Sequence, residues 1–232
     1  MKNHLQETPS LILHGRTKAS VDFVSDKDIA GKTILDVGCG YGWCELNFLS
    51  RNALSITATE ASEEDLATIR EHIHDPRVTL AVAPAPTMPF ASESFDTIVC
   101  WEVLEHIPSR TEQKFYQELF RVLRPGGALY LSTPNRALLP TILDPAWWLI
   151  GHRHYTAHQL TIFGKQAGFT LERTALFGKF WTMAAILNLY TSKWIFKGAP
   201  IGQHFFYKKT DEEYSKGGYT NIFVQYRKEK PS

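Results

Sequence analysis

From residue 33 onward, short β-branched or aliphatic runs alternate with longer stretches of helical patterning. The runs predict strands over 33–37, 54–59, 78–82, 95–101, 127–133, 169–176 and 219–227. Apolar residues at helical spacing predict helices over 42–50, 62–74, 111–123 and 156–167. Residues 10–30 mix apolar and charged positions as one or two helices would, ending at Gly31. Ser62 ahead of Glu63, Glu64 and Asp65 is an N-cap signal with acid in the first turn, and the Arg124–Gly127 stretch "RPGG" is a stop signal. Strand and helix alternating in this way imply βαβ units with right-handed crossovers, hence an α/β fold on a mostly parallel seven-stranded sheet.

Two segments break the rhythm. Residues 134–155 contain "DPAWWLIGHRHY", and residues 177–215 contain "KFWTMAAILNLYTSKWIF". Connections of this length in a compact domain usually cover a site. The expected organisation is one domain over 1–232, with a core at 31–176 and 216–228 and a lid built from inserts at 134–155 and 177–215.

Composition narrows the function classes. With 25 Lys and Arg against 24 Asp and Glu, the chain has no global attraction for nucleic-acid phosphates, and no nucleic-acid partner is expected. Three cysteines, Cys39, Cys44 and Cys100, show no paired metal spacing and the wrong parity for a disulfide framework, which suits a reducing cytoplasm. The N-terminus lacks a signal-peptide pattern. The longest uncharged apolar stretch runs over 180–192, short of the ~20 residues that span a bilayer.

The chemistry concentrates in "ILDVGCGYG", where the first strand ends in Asp36 and runs into Gly38, Cys39, Gly40, Tyr41 and Gly42 before a helix. Such a turn puts backbone N–H groups and a helix N-terminus at the carboxyl edge of the sheet, where open α/β folds bind ligands. Glycine lets a nucleoside-containing cofactor approach the main chain with no Cβ in the way. Dinucleotide folds want G-x-G-x-x-G; here the spacing is G-x-G-x-G and Trp43 stands at the third glycine's place, which disfavours a pyrophosphate cradle. Glu60 closes the second strand about twenty residues downstream. An ionised carboxylate there can accept from both hydroxyls of a ribose.

"ILDVGCGYG", "TATEAS", "TMPFASESFDTIVCWEVLEHIP" and "LFRVLRPGGALYLSTPN" follow in the order and spacing of class I S-adenosylmethionine-dependent methyltransferases. The chain resembles that family over about residues 31–135 and again in "YTAHQLTIFGKQAGFTL". It is most similar to the small-molecule branch that includes ubiquinone-biosynthesis O-methyltransferases. The resemblance implies a Rossmann-like fold, with S-adenosylmethionine's methionine portion among Asp36, Gly38, Cys39 and Gly40, Glu60 on the ribose and Ala61 beside the adenine. Pro84 replaces the acid that often holds the adenine amine, so that contact is expected to fall to the Ala85 backbone.

Trp101 ends the fourth strand, and Glu102, Glu105 and His106 follow as E-x-x-E-H. A helical turn starting here would put Glu102 and Glu105 on one face, with His106 beside them. The trio can act as the catalytic group without metal, His106 taking a proton. Alternatively it can hold a divalent ion, as resembling enzymes do, with His152, His154 or His158 as a further ligand. The inserts bring Trp147, Trp148, Phe180, Trp181, Met183, Trp194 and Phe196, which fit either buried lid packing or an apolar site for a small-molecule or lipid-like acceptor. Lys179, Lys193 and Lys197 flank the second insert in the manner of a helix making weak peripheral contact with an anionic membrane. A nicotinamide-dependent oxidoreductase and a cofactor-binding protein without turnover are the alternatives from other classes.

Overall fold

Strand β1 (Thr33–Val37) lies inside a sheet whose other early members are β2 (Ser55–Glu60), β3 (Val78–Val82), β4 (Phe95–Trp101), its central strand, and β5 (Leu123–Pro134). Strands β6 (Thr170–Phe177) and β7 (Asn221–Arg227) complete the order β3-β2-β1-β4-β5-β7-β6. The first five strands run parallel, and β7 is antiparallel to both β5 and β6. The computed structural model describes residues 7–143, 147–148, 151–192, 195 and 197–231.

The central strands are apolar along their whole length because both faces are covered. Alternate residues go to opposite layers. Leu35, Val37, Ile98, Cys100, Leu129 and Leu131 pack under α4 (Glu112–Val122) and α6 (Ala157–Ala167). Ile34, Ile56, Val99, Ala128 and Tyr130 pack under α1 (Gly15–Phe23) and α2 (Trp43–Ser50). Helix α4 buries Phe115, Tyr116, Leu119 and Val122, one stripe of its surface. A capping box starts α6: Gln159 N–H donates to Thr156 Oγ1 at 3.2 Å, and Thr156 N–H donates to Gln159 Oε1 at 2.9 Å.

Strands β1, β3 and β4 have the expected bounds, and the others differ by one or two residues except β5, which begins at Leu123. Its register steps from Phe95↔Leu123 to Thr97↔Ala128, so "RPGG" is an irregularity inside the strand rather than a loop before it. Helix α3 (Ala67–His72) is shorter than expected. Ser62 Oγ engages Asp65, accepting from its N–H at 3.4 Å, and so shapes a turn ahead of the helix. Residues 10–30 hold one α-helix, α1, and a single 3-10 turn at Asp26–Asp28.

The long connections contain helices that periodicity did not predict. Helix α5 (Leu138–Leu143) lies in the first; α7 (Phe180–Thr191) and α8 (Gln203–Tyr214) lie in the second, α8 packing on both α1 and α7. Helix α7 carries no charged residue, and its N-terminus is satisfied from outside: the Glu213 carboxylate accepts from the N–H groups of Lys179, Trp181 and Thr182 at 2.7–2.9 Å. Lys193, Trp194 and Phe196 lie outside the described residues. Among the described residues, no helix is long and apolar enough to cross a membrane.

Helix α6 meets the sheet through Gly164, where a Cβ would stand 2.4 Å from the Tyr226 ring. Tyr226 is fixed there, donating to Leu160 O at 2.8 Å. Gly164→Ala is therefore expected to destabilise the fold by about 1–2 kcal/mol, overpacking outweighing alanine's better helix propensity. Urea unfolding followed by circular dichroism checks this; an increase in stability would show that α6 docks more loosely.

Candidate active site

The carboxyl ends of β1, β2 and β4 converge on one loop. The N–H groups of Gly38 and Cys39 both donate to Thr59 O, at 2.9 and 3.0 Å, and Gly40 N–H donates to Glu60 Oε1 at 2.7 Å. The three glycines have positive φ, 76°, 59° and 83° for Gly38, Gly40 and Gly42, a region that strains other residues. Their reasons differ. A Cβ on Gly38 would lie 2.4 Å from Val103 Cγ2, and one on Gly42 would press on Pro9, Ile69 and Ile73 at 3.1 Å, so packing alone requires glycine at both. At Gly40 the nearest atom is Trp43 at 3.4 Å, ordinary contact, and there alone of the three the missing side chain leaves the backbone open to a ligand.

Cys39 is buried, and burial holds its thiol protonated. Tyr41 stands edge-on to Trp43 with ring centroids 5.3 Å apart. The Glu60 carboxyl is raised above its usual range by burial, opposed by the Gly40 and Ala61 amides. Ala83 N–H donates to Glu60 O at 2.9 Å, which brings the segment ending in Ala85 alongside Glu60 and Ala61. Trp101 lies at the end of β4 with its ring 5.8 Å from Phe223, packed on the α1–α2 side of the sheet. Asp36 is buried beneath the loop against Glu45, a residue of α2 that the sequence presents only as an ordinary first-turn acid.

The E-x-x-E-H segment is a turn rather than a helix. Glu102 has φ 56°, a left-handed conformation that a continuous helical turn does not contain. The expected shared face of Glu102 and Glu105 is therefore not formed. Glu102 accepts from Arg16 Nη1 at 2.9 Å, Ser132 Oγ at 2.6 Å and Asn221 Nδ2 at 2.9 Å. Those donors come from α1, β5 and β7, and no local sequence signal announces them. Glu105 is 3% exposed. Its Oε2 accepts from Thr133 Oγ1 at 3.0 Å, and Oε1 has no donor within hydrogen-bond reach among the described residues. Burial and the neighbouring Glu102 raise the Glu105 carboxyl well above its ordinary value.

Of the three candidate histidines, one reaches the trio. His152 Nε2 lies 3.3 Å from His106 Nε2 and 3.7 Å from Glu105 Oε1. His154 is buried beside Thr141 and Asn135 O, and His158 sits exposed in the first turn of α6. Ligand atoms of Glu105, His106 and His152 lie within 4.8 Å of one another, so the group able to hold a metal contains His152 and lacks Glu102. Partial desolvation, then the His152 imidazole, lower the His106 pKa. Arg153 clamps the whole turn, donating to Leu104 O at 3.0 Å, to Glu105 O at 3.3 Å, to Ile107 O and to the Glu112 carboxylate.

The family described as "Methyltransferase domain" matches residues 34–127. The ubiquinone biosynthesis O-methyltransferase of Xanthomonas oryzae pv. oryzae (strain PXO99A) is 35% identical over 132 residues, 55% of this chain and 54% of that protein. A probable S-adenosylmethionine-dependent methyltransferase of Mycolicibacterium smegmatis is 32% identical over 145 residues, 62% of this chain and 54% of the relative. The chain thus spans about half the length of the curated relatives it matches. Among solved structures, an S-adenosylmethionine-dependent methyltransferase from Mesorhizobium loti superposes with TM-score 0.63 at 17% identity, covering 90% of this chain and 96% of that one. The [4+2]-cyclase SpnF superposes with TM-score 0.67 at 22% identity, covering 96% and 89%. The matched segment, residues 34–127, carries β1, the glycine loop, the acid closing β2 and the E-x-x-E-H turn, and the seven-stranded sheet has the fold of the solved methyltransferase it superposes on.

Proposed function

We propose that the protein transfers a methyl group from S-adenosylmethionine to the hydroxyl of a small, partly apolar acceptor, with His106 receiving the hydroxyl proton. The observation that carries this reading is the meeting of two groups at one sheet edge: Gly40 bonded to Glu60 on one side, and the Glu102–His106 turn, touching Gly38 through Val103, on the other. Bound S-adenosylmethionine would supply an electrophilic methyl carbon. The methionine portion falls to Asp36 and the Gly38–Gly42 loop with Cys39 and Tyr41, the ribose to Glu60, the adenine side to Ala61 and Ala85, and Trp101 closes the floor. Glu102, tied to Arg16, Ser132 and Asn221, keeps α1 over the site. Aligning the acceptor oxygen with the methyl carbon accounts for much of the acceleration.

His106 suits the proton-accepting role because its lowered pKa keeps it neutral at physiological pH. Glu105 Oε1, 3.7 Å from His152 Nε2, keeps that imidazole beside His106, its carboxyl held neutral by burial and by Glu102. One observation favours a second version: the two imidazole nitrogens face each other at 3.3 Å beside a buried carboxylate oxygen without a donor. That nitrogen and oxygen set fits a divalent transition ion, which would supply Lewis-acid activation of the acceptor hydroxyl. Glu105, His106 and His152 would hold it.

The acceptor's apolar part is read from the second insert and from the ubiquinone-pathway relatives. Phe180 and Phe205 are 60% and 50% exposed, and each meets Trp181 edge-on at 5.1 Å. An aromatic or isoprenoid acceptor fits such a surface. A screen of phenols, quinol precursors, sugars and lipids for methyl incorporation is the direct test, and no S-adenosylhomocysteine from any of them would count against turnover.

Two variants give numerical expectations. Glu60→Ala is expected to weaken S-adenosylmethionine about 10- to 100-fold in calorimetric titration, the effect of losing a charged hydrogen-bond acceptor; unchanged affinity would remove Glu60 from the ribose site. His106→Ala is expected to lower kcat about 100-fold or more while leaving cofactor affinity nearly unchanged. Assay after exhaustive EDTA treatment separates the two versions, since full activity without added divalent ion leaves the proton-transfer version and loss restored by metal selects the other.

A further inference from the structure

Beneath the glycine loop, two acids are buried against each other. Asp36, on β1, is 1% exposed, and Glu45, in the first turn of α2, is 0% exposed. Asp36 Oδ1 and both Glu45 oxygens have no other donor among the described residues, and the side chains that bond toward the Asp36 carboxyl are Glu45 and the Cys44 thiol. Two carboxyls in contact away from water cannot both ionise, so they hold a proton between them. The other titratable groups bearing on the pair are Glu60 on β2, Cys44 on α2, Cys39 in the loop and Cys100 on β4, and none of these is a cation. Trp101, from β4, adds an indole but no charge.

We propose that Glu45 is a positioning residue for the cofactor: it carries the shared proton, donates it to Asp36, and so leaves the remaining Asp36 oxygen ionised toward the ammonium of the methionine portion. This rests on the cofactor reading above and adds a proton linkage to it. Burial raises both carboxyls, Glu45 the further of the two, while the Glu45 hydrogen bond works against burial at Asp36 and Glu60 adds to it. Asp36 is pushed up to about 7. An ammonium laid on Asp36 stabilises its ionised form and lowers that value. Below about pH 7, binding must therefore expel a proton, and affinity falls as the pH falls; above it, the linkage vanishes.

Calorimetric titration of the full chain with S-adenosylhomocysteine, in buffers of different ionisation enthalpy from about pH 5.5 to 7.5, reads this directly, since the ligand's α-amine stays protonated over that range. The wild-type protein is expected to release close to one proton near about pH 6, with affinity rising up to about tenfold per pH unit below the midpoint. Glu45→Gln keeps a donor toward Asp36 and is expected to hold affinity near about pH 7.5 within about threefold. Glu45→Leu removes the donor and is expected to lose about tenfold or more at neutral pH, with the rise displaced to higher pH. A wild-type profile with no proton release, or equal losses in the Gln and Leu variants, overturns the role given to Glu45. Failure to bind S-adenosylhomocysteine or S-adenosylmethionine at any pH strikes the cofactor reading instead. The wild-type proton count decides the matter even where Glu45→Leu does not fold.

Discussion

The hydrogen bond from Gly40 N–H to Glu60 Oε1, at 2.7 Å, ties the loop after β1 to the end of β2, and the arrangement of the site follows from it. It fixes a main-chain amide and an acid side chain at the same edge, with the Gly40 backbone the least crowded of the three glycines. Around that point stand Asp36 and Glu105, buried, and Glu60 and Glu102, half-buried. Like charges so desolvated demand compensation, and each has its own. Glu60 takes amides, Glu102 takes a guanidinium, and Glu105 takes a hydroxyl with a histidine nearby. Asp36 shares a proton with Glu45 and stands under the place where a cationic ligand portion fits.

The fold alone leaves the reaction open, since a [4+2]-cyclase superposes on this chain as well as a methyltransferase does. The reaction proposed above rests on the second half of the site. There the turn after β4 is held by three remote anchors: Arg16 from α1, Asn221 from β7 and the Arg153 clamp. Because Val103 fills the space of a Gly38 side chain, the glycine loop and the E-x-x-E-H turn are packed as one unit. A change in either is felt by the other.

The sheet was legible because its strands are short apolar-rich runs, buried on both faces at β1 and β4, and β1, β3 and β4 match to the residue. The turn after β1 was legible for a related reason: the positive φ of Gly38, Gly40 and Gly42 can be written only with particular residues. Helices α7 and α8 were not, since α7 lacks any charged face to set a period and takes its N-terminal cap from Glu213, some thirty residues away. The pairing of Glu102 with Glu105 failed as an inference for the opposite reason. A glutamate with φ 56° breaks the helical reading without leaving a glycine as a mark. Arg16, Ser132 and Asn221 join the site through tertiary packing alone, and Glu45 looks like any acid in a first turn until the sheet buries it.

The central claim is that this loop grips a sulfonium nucleoside and not a dinucleotide. Parallel calorimetric titrations of the unmodified protein with S-adenosylmethionine and with NADH test it most directly. The account predicts saturable one-to-one binding of the first and no heat of binding from the second, and saturation by NADH alone would contradict it.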